Sequence, residues 1–118
     1  MGVGRFEDME VWQHAHQFVL GIYRASEKFP KHEIFGLRGQ LRRAAVSIPA
    51  NLAEGYKKNS KLDKLRYYNI AQGSLEECRY YLILCRDLGY IETPKLDEVL
   101  NRVGRMLYSY IQALRADT

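Results

Sequence analysis

The sequence predicts an all-α fold, an antiparallel up-down-up-down four-helix bundle that forms a single domain over residues 1–118. Apolar residues recur at spacings of three and four in four separate segments, which is typical of amphipathic helices. Only three prolines and nine glycines interrupt the 118 residues. The links between segments are about three to five residues long, and links this short favour antiparallel neighbours.

The first two helices are predicted on either side of a proline. The first runs from about Asp8 to Lys28 and ends before Pro30, because the residue before a proline is pushed out of helical geometry. The second runs from about Glu33 to Lys58 and contains Pro49. An interior proline removes one backbone hydrogen bond and clashes with the preceding turn. Because the apolar spacing continues past Pro49, we predict a kink there rather than a break.

The third and fourth helices carry their own start and stop signals. Ser60 can cap the free amides of the third helix, and Asp63 stands at the reciprocal position. Gly89 is suited to the left-handed conformation that ends many helices. The fourth helix is predicted to begin at Thr93 and Pro94, a capping residue followed by proline at the first helical position.

Helix three carries two apolar stripes, although a helix on the outside of a bundle needs only one. The first stripe consists of Ala71, Leu75, Cys78, Leu82 and Cys85, and the second of Tyr67, Ile70, Ser74, Tyr81, Leu84 and Leu88. We expect the first to pack inside the chain. Tyrosine is favoured at protein interfaces, so we expect Tyr67, Tyr81 and Leu84 to lie at an interface between subunits. The alternative is that these rings lie on the surface of a monomer.

Positive charge is concentrated between residues 38 and 66, where eight basic residues face only two acidic ones. Clustered Lys and Arg can neutralise phosphates and release counterions, so this segment is a candidate for binding RNA or DNA. The candidate residues are Arg38, Arg42, Arg43, Lys57, Lys58, Lys61 and Lys64. Such binding would show little sequence preference, because contacts to phosphates position a protein without reading bases. The alternative is a solvated charged face.

A polar row follows one face of helix two, where Ser47, Asn51 and Glu54 are spaced by four and three residues. We expect these residues, with Ser74 on helix three, to form a buried hydrogen-bond network that fixes the helix register. Asn51, or a side chain from a neighbouring helix, could supply a donor for the carbonyl that Pro49 leaves unpaired. A polar ligand site at Pro49 is the alternative.

No catalytic or cofactor motif accompanies these features. The sequence lacks the Glu-x-x-His pair of di-iron bundles, a phosphate-binding glycine loop and a dinucleotide fingerprint. It also lacks an apolar run long enough to span a membrane and the pattern of a signal peptide. We therefore expect a cytoplasmic protein that is not an enzyme and binds no metal or cofactor.

One specific motif is the segment Gln40-Leu-Arg-Arg-Ala-Ala-Val-Ser-Ile-Pro-Ala-Asn-Leu-Ala-Glu-Gly55, and Phe29-Pro30, Phe35-Gly36-Leu37 and Gly73-Ser74 add to it. In these segments the sequence resembles the family of bacterial four-helix bundles called 23S rRNA-intervening sequence proteins, some of which are encoded in insertions within large-subunit ribosomal RNA genes. That family is similar in fold to the accessory variability determinant proteins of diversity-generating retroelements, which form pentameric rings, bind nucleic acid and partner a reverse transcriptase. The resemblance implies a homopentamer that binds nucleic acid and has no enzyme activity. The alternative is a protein-interaction scaffold with no nucleic-acid role.

Overall fold

The computed structural model describes residues 4–117, which form four helices and no strand. The helices are α1 (Glu10–Ser26), α2 (Leu37–Lys57), α3 (Lys61–Asp87) and α4 (Pro94–Ala116), with short 3₁₀ turns at Phe6–Asp8 and Lys31–Glu33. The rod they form measures 48 × 24 × 20 Å. The predicted all-α four-helix bundle is therefore confirmed.

Each helix packs against the next one in the chain, and α4 closes the bundle against α1. Side chains on α2 and α3 meet in opposite order along the two helices, which shows that these helices run in opposite directions. The meeting pairs are Gly55 with Tyr68, Ser47 with Ser74, and Gln40 with Tyr81. Contacts between α3 and α4 run in the same opposed sense, from Tyr68 with Tyr110 to Arg79 with Asn101.

The first apolar stripe of α3 lies in the core, as predicted. All five of its residues are buried, and Leu75 is only 3% exposed. Cys78 and Cys85 are free thiols in this core, and burial raises the pKa of Cys78 to about 12 and that of Cys85 to about 11. Both thiols therefore stay protonated at neutral pH and behave as small apolar side chains.

The two ends of α3 follow the sequence signals. The Ser60 hydroxyl accepts a hydrogen bond from the Asp63 amide at 3.1 Å, so the predicted cap is confirmed. Gly89 has φ +76°. The Tyr90 amide donates to the Cys85 carbonyl and the Gly89 amide to the Arg86 carbonyl, at 2.9 and 3.0 Å. This is the paired closure expected of a helix that ends in a left-handed glycine.

Helix α2 begins at Leu37, later than predicted, because residues 31–33 form a separate 3₁₀ turn. Glu33 nevertheless supports the start of the helix: its carboxylate accepts from the Leu37 amide at 3.0 Å and from the Tyr90 hydroxyl at 2.9 Å. These hydrogen bonds lower the pKa of Glu33, the bond from Leu37 being the larger cause. The link between α1 and α2 is thereby tied to the end of α3.

The prediction that the Thr93 side chain caps α4 is wrong. Its hydroxyl makes no hydrogen bond to a backbone amide and instead donates to the Asp97 carboxylate at 2.9 Å. A carboxylate is a stronger acceptor than a hydroxyl, so the buried Thr93 acts as a donor. Pro94 occupies the first turn of α4, as expected.

Pro49 lies inside an uninterrupted α2, so the helix does not break there. Ile48, Pro49 and Leu52 are all buried, and the apolar face therefore continues across the proline. The kink at Pro49 remains a prediction. The Asn51 amide donates to the Ser47 carbonyl at 2.8 Å, not to the carbonyl of Ala45 that the proline leaves without its usual donor.

Candidate nucleic-acid interface

The seven candidate basic residues fall into two clusters at opposite ends of α2. The arginine cluster consists of Arg38, Arg42 and Arg43, and the lysine cluster of Lys57, Lys58, Lys61 and Lys64. Nineteen residues of helix separate Arg38 from Lys57, which corresponds to about 28 Å at 1.5 Å per residue. The two clusters therefore form separate sites.

Arg42 is bound within the protein, against the C-terminal end of α1. Its guanidinium donates to the Ser26 hydroxyl at 2.8 Å, to the Tyr23 carbonyl at 3.1 Å and to the Glu27 carboxylate at 3.2 Å. It also lies 4.4 Å from the centroid of the Tyr23 ring, and its side chain is only 16% exposed. Arginine commonly satisfies the last carbonyls of a helix in this way. We therefore assign Arg42 a structural role, although the sequence made it a candidate for phosphate binding.

Arg38 and Arg43 have no ion-pair or hydrogen-bond partner for their side chains within residues 4–117. With Arg42 they line a surface groove of about 460 Å³. The other lining residues are Tyr23, Ile34, Gly39, Val46 and Ser47. A Cβ atom at Gly39 would stand 3.3 Å from the Arg43 guanidinium, so the glycine leaves room for that side chain along the helix.

Two residues of the lysine cluster are also engaged. The Lys64 ammonium donates to the carbonyls of Tyr56 at 2.6 Å and Gly55 at 3.3 Å, which places its charge on the C-terminal end of α2. Burial lowers the pKa of Lys64. Lys58 forms an ion pair with Glu54 at 3.7 Å.

The other two lysines of this cluster, Lys57 and Lys61, have no such partner in the described part of the chain. Structure thus divides the seven candidates into two groups. Arg42, Lys58 and Lys64 contact other groups of the protein, whereas Arg38, Arg43, Lys57 and Lys61 have no ion-pair or hydrogen-bond partner among the described residues. The sequence shows no difference between these groups, because the partners of the first group come mostly from other helices or from helix ends.

The structure brings together three of the four residues of the predicted polar network. The hydroxyls of Ser47 and Ser74 are 2.7 Å apart, and the Asn51 amide donates to the Ser47 hydroxyl at 3.0 Å. Glu54 lies outside this network: its side chain is 59% exposed and pairs with Lys58. The prediction for Glu54 therefore fails, because its position faces solvent.

The second stripe of α3 is partly covered by its own chain. The Tyr81 hydroxyl donates to the Gln40 side chain on α2 at 3.1 Å, and Tyr67 lies beneath the Lys58 ammonium at 5.2 Å. Leu84 is half-buried against the core. The same side of α3 carries other apolar residues that remain exposed, including Ile70 and Leu88. A role for Tyr67, Tyr81 and Leu84 between subunits remains a prediction.

Within residues 4–117, no three His, Cys, Asp or Glu side chains lie close enough together to hold a metal ion. None of the helices described is long and apolar enough to cross a membrane.

These features define a class of protein: an all-α bundle whose second helix carries cationic side chains at both ends. The family described as 23S rRNA-intervening sequence protein matches residues 7–109, and the chain belongs to this family. A crystal structure of a protein of unknown function from the S23 ribosomal protein family of Bacteroides thetaiotaomicron is similar, with a TM-score of 0.76 and 24% identity over 86% of this chain and 95% of that one. That likeness concerns the fold. No curated protein matches the chain.

Proposed function

We propose that this protein is a non-enzymatic, homo-oligomeric accessory protein of the cytoplasm that binds RNA or DNA through phosphate contacts. The observation that carries the proposal is the presence, on one segment, of four cationic side chains that have no ion-pair or hydrogen-bond partner among residues 4–117. These residues are Arg38, Arg43, Lys57 and Lys61. A cation already bonded to a carbonyl or carboxylate gives up part of that bond when it contacts a phosphate, whereas an unpaired cation gives up only water and counterions.

The separation of the two clusters supports binding to an extended polyanion. A spacing of about 28 Å along α2 corresponds to about eight base pairs at 3.4 Å per pair. A small phosphate metabolite could contact one cluster at most. A nucleic-acid strand running beside α2 could contact both.

Fluorescence anisotropy with a structured RNA and a duplex DNA at 50 and 200 mM salt tests the proposal. We expect binding at 50 mM salt that weakens strongly at 200 mM, because each neutralised phosphate adds to the salt dependence. Arg38→Ala/Arg43→Ala and Lys57→Ala/Lys61→Ala should each weaken binding. The control is Lys95→Ala/Arg115→Ala, which removes the same charge from exposed positions on α4. Absence of binding at 50 mM salt, or binding insensitive to salt, would reject the proposal.

The oligomeric part of the proposal has its own test. We propose a homopentamer, supported by the family resemblance and by the apolar side chains that α3 leaves exposed. Light scattering on a sizing column should give about five times the chain mass of 13.8 kDa. A monomer at micromolar concentration would contradict the pentamer and the use of the second stripe of α3 as an interface.

A protein-interaction scaffold is the second candidate. It is favoured by the exposure of Tyr80 and Ile83 beside the second stripe of α3, where a partner helix could pack. Pull-down from nuclease-treated lysate separates the two functions. A specific protein partner that survives nuclease, together with no affinity for RNA or DNA, would replace the first proposal by the second.

A further inference from the structure

The most exposed large apolar side chain of the described residues is Phe35, in the link between α1 and α2. It is 97% exposed, although the backbone on both sides of it is fixed. The Ile34 amide donates to the Lys31 carbonyl at 3.2 Å, and the Gly36 amide donates to the Glu33 carbonyl at 3.0 Å. The ring is therefore exposed to solvent from a fixed backbone position. The entropy cost of ordering this backbone when a ligand binds is small.

Phe35 directly follows a residue that lines the groove of the arginine cluster. Ile34, its neighbour at about 3.8 Å between Cα atoms, lines that groove together with Val46, Arg38 and Arg43. Ile34 and Val46 are themselves partly exposed. The groove thus combines an apolar surface with two guanidinium groups that have no partner among the described residues, and an exposed aromatic ring follows Ile34 along the chain.

The lysine cluster offers a different surface. Its tyrosine rings are already covered by ammonium groups, Tyr56 by Lys64 at 5.5 Å and Tyr67 by Lys58 at 5.2 Å. No such cation covers Phe35 among the described residues. Of the two clusters, the arginine cluster is therefore the one with a nearby aromatic ring that no cation covers among the described residues.

A duplex presents phosphates, but its bases are stacked on one another inside the helix and cannot stack on an exposed phenyl ring. A single strand offers both a phosphate backbone and unstacked bases. Proteins that bind single strands combine a cationic groove with aromatic rings on which the bases stack. We propose that the arginine-cluster groove binds single-stranded nucleic acid, with a base stacked on Phe35 and phosphates held by Arg38 and Arg43. This inference rests on the proposed function and names its ligand class.

The test compares a 12-nucleotide single-stranded RNA with a duplex of the same sequence, using the full chain and anisotropy at 50 mM salt. Wild type should bind the single strand more tightly than the duplex. Phe35→Leu keeps an apolar side chain and removes the stacking face, and it should weaken single-strand binding by about tenfold, within the range for loss of one stacked base. It should change duplex binding less than twofold. Tyr108→Leu, at an exposed ring on α4, is the matched control and should change neither affinity.

The outcomes separate this inference from the proposed function. Unchanged single-strand affinity in Phe35→Leu, or an equal loss for both ligands, would overturn the stacking role even though phosphate binding persists. A change in oligomeric mass in Phe35→Leu with no change in affinity would assign the ring to a subunit contact and also overturn it. If wild type binds neither ligand, the proposed function fails as well.

Discussion

Replacing Arg42 by alanine should destabilise the bundle, although the sequence presents this residue as one member of a basic surface. The change removes the hydrogen bond to the Ser26 hydroxyl and the bond to the Tyr23 carbonyl. Ser26 is fully buried, so its hydroxyl loses a strong donor where water has poor access. The last turn of α1 also loses the positive charge near its C-terminal end.

The expected loss of stability is about 2–3 kcal/mol. The buried Ser26 hydroxyl loses its charged donor and keeps only its long bond to the Tyr23 carbonyl, at 3.5 Å, and a buried polar group that loses a partner costs about 1–3 kcal/mol. The contact between the guanidinium and the Tyr23 ring adds about 0.5–1 kcal/mol. The ion pair with Glu27 adds little, because the Glu27 carboxylate is largely exposed and screened by solvent. For a chain of this size each kcal/mol shifts the melting temperature by about 4 °C, which predicts a decrease of about 8–12 °C.

Circular dichroism melts at one fixed protein concentration measure this decrease, and Arg43→Ala is the matched control. Arg43 is adjacent to Arg42 in sequence, and its side chain has no ion-pair or hydrogen-bond partner among the described residues. Replacing it by alanine removes the same charge. This variant should melt within about 2 °C of wild type, as expected of exposed surface substitutions. An Arg42→Ala protein that melts like Arg43→Ala would refute the structural assignment of Arg42.

Three further predictions concern the bundle. Gly55→Ala should cost about 1–3 kcal/mol in urea unfolding, because the added Cβ would lie 2.7 Å from the Tyr68 ring; an unchanged midpoint would show that the helices separate easily. Leu75→Asp should leave the chain unfolded by circular dichroism, since it places an unpaired charge in the core, and a wild-type melt would disprove the position of the core stripe. Glu33 has a lowered pKa in the folded state, so its ionised form stabilises the fold above its ordinary pKa of 4.5 and this contribution is lost as the pH falls through the lower folded value. Glu33→Gln, which keeps a polar partner for Tyr90 but cannot ionise, should therefore be less stable at pH 7 and lose less stability between pH 5 and 3; equal acid sensitivity in both proteins would contradict this role.

The fold could be read from the sequence because its signals are local. Ser60 and Gly89 act within one turn of the residues that they cap, and the core stripe on α3 follows from helical spacing alone. Thr93 was misassigned because its hydroxyl can donate or accept, and the choice depends on the nearby Asp97 carboxylate. Helix α2 begins later than predicted because residues 31–33 form their own 3₁₀ turn, and Glu33 bonds to the Leu37 amide from outside the helix.

The candidate site could be read only in part, since the role of a cation depends on what it meets in space. Arg42 and Arg43 are neighbours with the same chemistry, but helical geometry turns only Arg42 towards α1. Its partner Ser26 is sixteen residues away. One signal in the sequence could have indicated the role of Arg42. In an antiparallel pair, a cation early in one helix lies near the C-terminal end of the other helix, where it can bind the last carbonyls. Glu54 was misplaced because a spacing of three or four residues defines a face without showing how far that face is buried.

The salt dependence of RNA binding tests the central claim most directly, namely that the cations on and beside α2 that lack a partner within residues 4–117 bind phosphates. The measurement is the slope of log affinity against log salt for wild type and for a variant in which Arg38, Arg43, Lys57 and Lys61 are all alanine. Each lost phosphate contact should make the slope shallower by about 0.7 for single strands and about 0.9 for duplex, so the variant should lose most of the dependence. A variant with the wild-type slope and affinity would contradict the account.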